Sequence, residues 1–190
     1  NDVEIITDFQ TMSDRLIADI KGARHHINML FFKFEDDAAG RRIADALIRK
    51  SEEGVLVRLI YDDAGNLMVP RRFYRKLRKH GIQVRGFIRI FLPILSRDYN
   101  SRNHRKVVVI DGRVGYMGGM NIAQRYAEGL KWGIWRDTHM RITGPAVSEL
   151  QTSFLTDWKF TKGDEPDLAP MYPYNPPCGN TLMQIVTGGP

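Results

Sequence analysis

The sequence is short of the features that mark disulfide-stapled, zinc-binding or membrane-spanning chains. Cys178 is its one cysteine, which excludes an internal disulfide and any zinc site built on thiolates. That usage is compatible with a reducing compartment. No stretch approaches the ~18 consecutive apolar residues of a membrane-spanning helix. No signal-peptide pattern opens the chain, and its first residue is Asn1 rather than Met. The chain is therefore read as a piece of something longer, with any anchor upstream of Asn1 out of view. Acidic residues are the scarcer charges: 22 Asp and Glu stand against 28 Lys and Arg, a net charge of +6 and a pI of about 9.5. Such a balance favours anionic partners, whether phosphate esters, nucleic acid or an acidic membrane surface. It does not choose among them, and a solubilising surface alone would account for it. What is present is ordinary for a folded domain with a core: 190 residues, 43% hydrophobic and 26% charged, which excludes disordered and collagen-like classes.

The first half of the chain alternates strand and helix patterns. Val3 to Thr7 reads as a short strand, and Thr11 to Gly22 as a helix with Met12, Leu16, Ile17 and Ile20 on one face. Ile27 to Phe34 is a buried strand, Ala38 to Glu53 a helix closed by Gly54, and Val55 to Tyr61 a β-branched strand. Pro70 to His80 is a basic helix and Ile82 to Ile88 another strand. This alternation predicts a mixed, mostly parallel α/β sheet flanked by helices on both faces. The pattern then changes. Arg89 to Leu95 is apolar but broken by Pro93, and Ser96 to Asn103 is a polar loop. Lys106 to Ile110 and Val114 to Met117 are paired strands around a tight Asp111-Gly112 turn. Trp135 to Thr143 is expected as a strand, and Pro145 to Lys159 as an amphipathic helix capped near Thr143. Residues 1–162 form the domain, 163–180 a linker rich in proline and acid, and 181–190 the start of a further unit, with Thr181 to Val186 as its opening strand.

Chemistry concentrates between His104 and Asn121. His104 and Lys106 precede a strand, so they share a face, roughly 7 Å apart along the chain. An imidazole is a nucleophile or proton carrier near neutral pH, and an ammonium is a fixed cation for phosphate. Asn121 arrives from a Gly118-Gly119 loop whose backbone can approach a ligand closely, and its amide suits a non-bridging phosphate oxygen. That trio on one surface is what phosphoryl transfer through a covalent histidine needs. Each residue alone has a plainer explanation: a surface His, a turn glycine pair, a hairpin aspartate. The ordered combination His104-x-Lys106-x4-Asp111 followed by Gly118-Gly119-Met120-Asn121 is the specific signal.

That combination resembles the signature of the phospholipase D superfamily. More of the chain is similar to one branch, the bacterial cardiolipin synthases: Asn100 to Lys106, Trp135-Arg136-Asp137-Thr138-His139, Gly144-Pro145-Ala146-Val147, Leu150-Gln151, Phe154, Asp157-Trp158 and Gly54 to Arg58. The resemblance implies a phospholipase D-like domain that is the first of two repeats, with a pseudo-twofold site. One His attacks phosphorus to give a phosphohistidine intermediate, and the other protonates the leaving alcohol. Two phosphatidylglycerols yield cardiolipin and glycerol, with no metal or other cofactor. It further implies His104 as nucleophile or as its acid/base partner, Lys106 and Asn121 as phosphate ligands, and Asp111 as the motif aspartate with a structural or site-stabilising part. Asp137 falls where relatives place a carboxylate that orients the catalytic His; a surface partner of Arg136 or Arg141 is its other explanation. Gly119 replaces the hydroxyl common in the wider superfamily. The implied partners are phosphatidylglycerol and other anionic phospholipids, a membrane surface, and a second repeat or a homodimer mate, with nucleic acid not expected. The implied place is the bacterial inner membrane, catalytic domain on the cytoplasmic side, this piece being soluble.

His139, on Asp137's face if the strand is regular, and the tandem His25-His26 are expected to pack rather than react. Arg89 to Leu95 is either an acyl-chain entrance or a core strand with its exit loop. The basic helix Pro70 to His80 either lies on anionic lipid or is a solvated face. Two other functions stay open: a single-motif phosphodiesterase or endonuclease completed by homodimerisation, and a non-catalytic module that binds anionic lipid or nucleic acid.

Overall fold

A computed structural model describes residues 1–87, 102–129, 133 and 135–188. The first two helices begin where a polar cap and an apolar stripe coincide. Helix α1 (Phe9–Gly22) starts at Asp8, whose carboxylate accepts from the Thr11 N–H at 2.8 Å, and it buries Met12, Leu16 and Ile20. Helix α2 (Ala38–Glu52) is capped in the same way by Asp37 on the Gly40 N–H. Helix α3 (Arg71–Lys79) follows Pro70 and buries Phe73, Tyr74 and Leu77. The short α4 (Arg125–Glu128) and the long α5 (Val147–Phe160) complete the set of α-helices among the described residues. One 3-10 turn, Ala169–Met171, follows in the segment expected as a linker. That segment packs: Met171 is buried, its Sδ 3.8 Å from Asn28 Nδ2, and Asn175 donates to the Gly112 carbonyl.

Seven strands form one sheet: β1 (Asp2–Ile6), β2 (His26–Phe31), β3 (Leu56–Asp62), β4 (Gln83–Phe87), β5 (Val107–Ile110), β6 (Val114–Gly118) and β7 (His139–Thr143), in the order β1-β7-β6-β5-β2-β3-β4. The class is mixed α/β as expected, but "mostly parallel" needs correction. Only β2-β3 and β3-β4 are parallel, and the other four pairings are antiparallel. The helical crossovers α2 and α3 enforce the parallel pairs. The three-residue Asp111–Arg113 loop forces β5 and β6 to run antiparallel, and β5 then enters the sheet against β2, with Leu30 opposite Val107 and Ile27 opposite Ile110. α1 to α4 cover one face and α5 the other, so β2 is buried along its whole length.

Several elements differ from expectation. The strand expected from Trp135 begins only at His139, where pairing with β1 and β6 starts. α5 is preceded by Ala146 rather than capped by Thr143. Thr181 to Val186 is not a strand: Thr181 exchanges backbone bonds with Asn1 at 3.1 Å in each direction, and no ladder continues from it. A strand is defined by its partner, and an alternating pattern alone does not provide one. The stretch Arg89 to Leu95 lies outside the described residues.

Candidate active site

β2 and β3 end, and β5 begins, at the same edge of the domain, and this edge gathers the chemistry-bearing residues. Asn103 is buried; its N–H donates to Asp62 Oδ2 at 3.1 Å, and its Oδ1 accepts from the Arg105 N–H at 3.0 Å. This turn launches the approach to β5 and sets its alternation. Arg105 goes to the α5 face, where its guanidinium meets Asp157 at 3.0 Å. His104 and Lys106 go the other way. The His104 ring is exposed on one side and stacked on Phe32 on the other, ring centroids 4.0 Å apart and planes 18° from parallel. The Lys106 ammonium is also over the Phe32 ring, at 5.4 Å.

Lys106 is 8% exposed, and its Nζ donates to the His104 carbonyl at 2.5 Å. An ammonium has three donors, so two remain without a partner among the described residues. Burial pushes the Lys106 ammonium down from its usual range, and the Asp137 carboxylate opposes that shift. Asn121, also buried, accepts the Lys33 N–H on Oδ1 at 3.0 Å and donates from Nδ2 to the Tyr126 hydroxyl at 2.8 Å. One amide N–H is left over. The edge therefore presents an imidazole, a desolvated cation with spare donors and a fixed amide, which together suit a tetrahedral anion.

Asp137 lies against the Gly118-Gly119 loop. A methyl group at Gly119 would overlap its carboxylate, so only glycine permits this close approach. Its Oδ1 accepts from the Thr138 N–H at 2.7 Å, and no bond joins it to His104 among the described residues. It is not paired with Arg141, which forks onto Asp19 at 2.7 and 3.0 Å. Asp111 is not brought to this group. It occupies the opposite end of β5, at φ 52°, and its two oxygens accept the backbone N–H groups of Arg24, His25 and His26 at 2.8 to 2.9 Å. His26 is buried beside Gln151 Oε1 at 3.2 Å, away from this edge.

Phe32 and Tyr126, which set the orientation of His104 and Asn121, belong to no motif in the sequence. The aromatic run Phe31-Phe32 at a strand end was the available signal for Phe32; nothing local marked Tyr126. The pair Arg125–Glu35 beside Asn121 was equally out of reach, since its two members come from different elements.

His139 is fully buried at the start of β7, and neither ring nitrogen has a partner among the described residues. Burial holds its imidazole down, to about 4 from the ordinary 6.5, with the Lys106 ammonium acting in the same direction. The unfolded chain therefore takes up a proton here first as pH falls. The stability is complete above about pH 6.5 and is lost through the window down to about pH 4, about 3 kcal/mol in all. His26, lowered mainly by burial, adds a loss of the same sign. Urea unfolding at pH 7 and at pH 4.5 should show this drop in the parent chain and a much smaller one in His139→Asn. Equal acid sensitivity in both would rule out the neutral buried ring as its cause.

The family described as "Cardiolipin synthase, PLD-like domain" matches residues 16–158, which span every group just placed at this edge. The chain belongs to this family. It is 41% identical to the major cardiolipin synthase ClsA of Bacillus subtilis (strain 168) across the whole of this chain and 40% of that protein. The cardiolipin synthase of Oceanobacillus iheyensis is likewise 41% identical and 40% covered, so the chain spans about two fifths of the length of the relatives it matches. Among solved structures, NucT from Helicobacter pylori shares the fold with a TM-score of 0.65 at 17% identity, over 85% of this chain and 96% of that one. In this cardiolipin synthase-family domain, the helices described contain none long and apolar enough to cross a membrane.

Proposed function

We propose that the chain supplies half of a phosphatidyltransferase site that joins two phosphatidylglycerols into cardiolipin. The observation that carries this is the exposed His104 ring held on Phe32 beside a desolvated Lys106 with spare donors. Lys106 and the free Asn121 N–H hold the non-bridging oxygens of a phosphodiester, where a water-poor setting strengthens each contact. In one role, His104 attacks phosphorus; the bond to the glycerol oxygen breaks, and an acid from the other half donates the proton that glycerol carries away. A hydroxyl of the second phosphatidylglycerol then attacks the phosphohistidine, giving its proton to that same group and freeing His104. In the mirror role, His104 is the proton carrier. Asp137 helps keep Lys106 charged against its burial, and Asp111 acts on the strand framework rather than on substrate. The 41% identical relatives named cardiolipin synthase support this substrate class, and the enzyme would work at the surface of the bacterial inner membrane.

One histidine cannot be both nucleophile and leaving-group acid in the same step. The 190-residue chain as a monomer is therefore expected to be inactive or very weak on phosphatidylglycerol. Activity should appear in the complete polypeptide or in a homodimer that pairs this edge with its copy. Thin-layer analysis of radiolabelled phosphatidylglycerol, with mass measured by light scattering in the same buffer, checks this. Rapid cardiolipin formation by a strictly monomeric chain would overturn the half-site assignment. Cleavage of nucleic acid without lipid transfer would overturn the substrate class.

A further inference from the structure

The helices differ in how they use their charge. On α1 and α2 and their flanks, Arg15 pairs with Glu4, Arg42 with Asp14 and Arg41 with Asp36. Helix α3 has no acidic residue at all: its sequence is Arg71-Arg72-Phe73-Tyr74-Arg75-Lys76-Leu77-Arg78-Lys79. Lys76 meets Asp45, and Arg78 donates to the Val84 carbonyl. Arg71, Arg72, Arg75 and Lys79 are exposed and form no ion pair with any described residue. At about 100° per residue these four fall within roughly 100° of arc, opposite the buried Phe73 and Leu77. Immediately before this cationic face stand two of the most exposed apolar side chains near the site, Leu67 at 57% and Met68 at 95%.

This segment is fastened to the wall of the His104 site. Asn66 donates from Nδ2 to the Phe32 and Asp62 carbonyls, both at 2.7 Å, and accepts the Phe34 N–H at 2.9 Å. Gly65 sits directly on the Phe32 backbone, and the Tyr74 hydroxyl of α3 donates to the Phe34 carbonyl at 2.9 Å. An open cleft of about 580 Å³ runs under Leu67 and Met68, with Lys33, Glu35 and Arg125 in its wall. Across Asn121, Trp135 is 48% exposed and leans on Tyr126 at 5.7 Å between ring centroids. Exposed apolar groups thus flank the site on two sides, with an unpaired cationic face beside one of them.

We infer that Leu67, Met68 and the Arg71, Arg72, Arg75 and Lys79 face of α3 form the surface by which this domain sits on an anionic bilayer. Leu67 and Met68 enter the interfacial region while the cations meet lipid phosphates. The fastening to Phe32 then holds the His104 edge at headgroup level, so a phosphodiester reaches it without leaving the membrane surface. The inference deepens the transferase assignment and rests on it for the choice of a lipid occupant. A solvated basic face would have no use for the apolar pair at its head, and a site for soluble phosphate would need no exposed Met and Trp around it.

Vesicle flotation tests this with the 190-residue chain. It should bind vesicles of phosphatidylglycerol and phosphatidylcholine at moderate salt, and vesicles of phosphatidylcholine alone far more weakly. Each cation near an anionic surface is worth about fivefold in partitioning. The triple variant Arg71→Glu/Arg72→Glu/Arg75→Glu should therefore bind at least roughly 100-fold more weakly. Leu67→Ser/Met68→Ser should weaken binding about tenfold and leave it more sensitive to salt. The control Arg24→Glu/Arg49→Glu/Arg113→Glu changes net charge equally at the opposite end of the sheet, and should bind within a few-fold of the parent. Far-UV circular dichroism identifies any variant that has unfolded, and the apolar pair and the charge triple are independent tests. Equal loss in both charge triples would refute the surface, as would binding to duplex DNA tighter than to vesicles and lost in the α3 triple. Flotation needs no turnover: α3-dependent binding with no lipid transfer by the complete enzyme defeats only the transferase assignment. Transfer without α3-dependent binding defeats only the docking surface.

Discussion

Replacing His104 with Ala lowers phosphatidyl transfer by the complete enzyme by at least roughly ten-thousandfold, with the fold intact. Loss of a nucleophile or of an essential proton carrier removes a bond-making step, and such losses are among the largest that single substitutions cause. The structural cost should be small because the ring is exposed on one face and makes its described contact through stacking on Phe32. The same holds whichever of the two roles His104 plays, and a trapping experiment separates them. Acid-quenched enzyme carrying labelled phosphatidyl groups on this half identifies the nucleophile; label on the other half makes His104 the acid/base. Cardiolipin formation at near-parent rate by a folded His104→Ala protein would remove the residue from the mechanism.

Asp111→Ala is expected to act on stability, by about 3 kcal/mol, with little direct effect on chemistry. Its carboxylate holds three successive N–H groups at the mouth of β2 from a turn between β5 and β6. Removing it leaves those donors to compete for water and places an alanine at φ 52°, where a Cβ is disfavoured. Asp111→Asn keeps the tolerated conformation and part of the acceptor capacity, so it should fall between the two. Guanidinium unfolding curves for the three proteins give the order, and transfer rates measured below every midpoint give the chemistry. An unchanged unfolding midpoint in Asp111→Ala together with a collapsed rate would move this residue back among the reacting groups. The physical point is one of reach: Asp111 clamps β5 to β2, and that register seats Phe32 beneath His104.

Much of this protein was legible without coordinates because it is encoded over a few neighbouring residues. The stripe Met12, Leu16, Ile20 specifies α1 locally, and the alternation at His104, Arg105 and Lys106 sends two side chains to one face and one to the other. The motif from His104 to Asn121 carried the family, and the family match over residues 16–158 agrees with it. Other features were not encoded that way. The strand expected at Thr181 to Val186 had the alternation but no partner, and the sheet expected to be mostly parallel turned antiparallel once β5 entered beside β2. The seat of His104 on Phe32, the tie between Asn121 and Tyr126, and the position of Asp111 at the far end of β5 from the group it belongs to in sequence all depend on which strands became neighbours. By itself the sequence determined the local elements and the residue types of the site, because periodicity, caps and motif spacing act within a turn or a strand. Only the tertiary structure decided strand order and side-chain company, because those free energies come from burying surfaces contributed by distant parts of the chain.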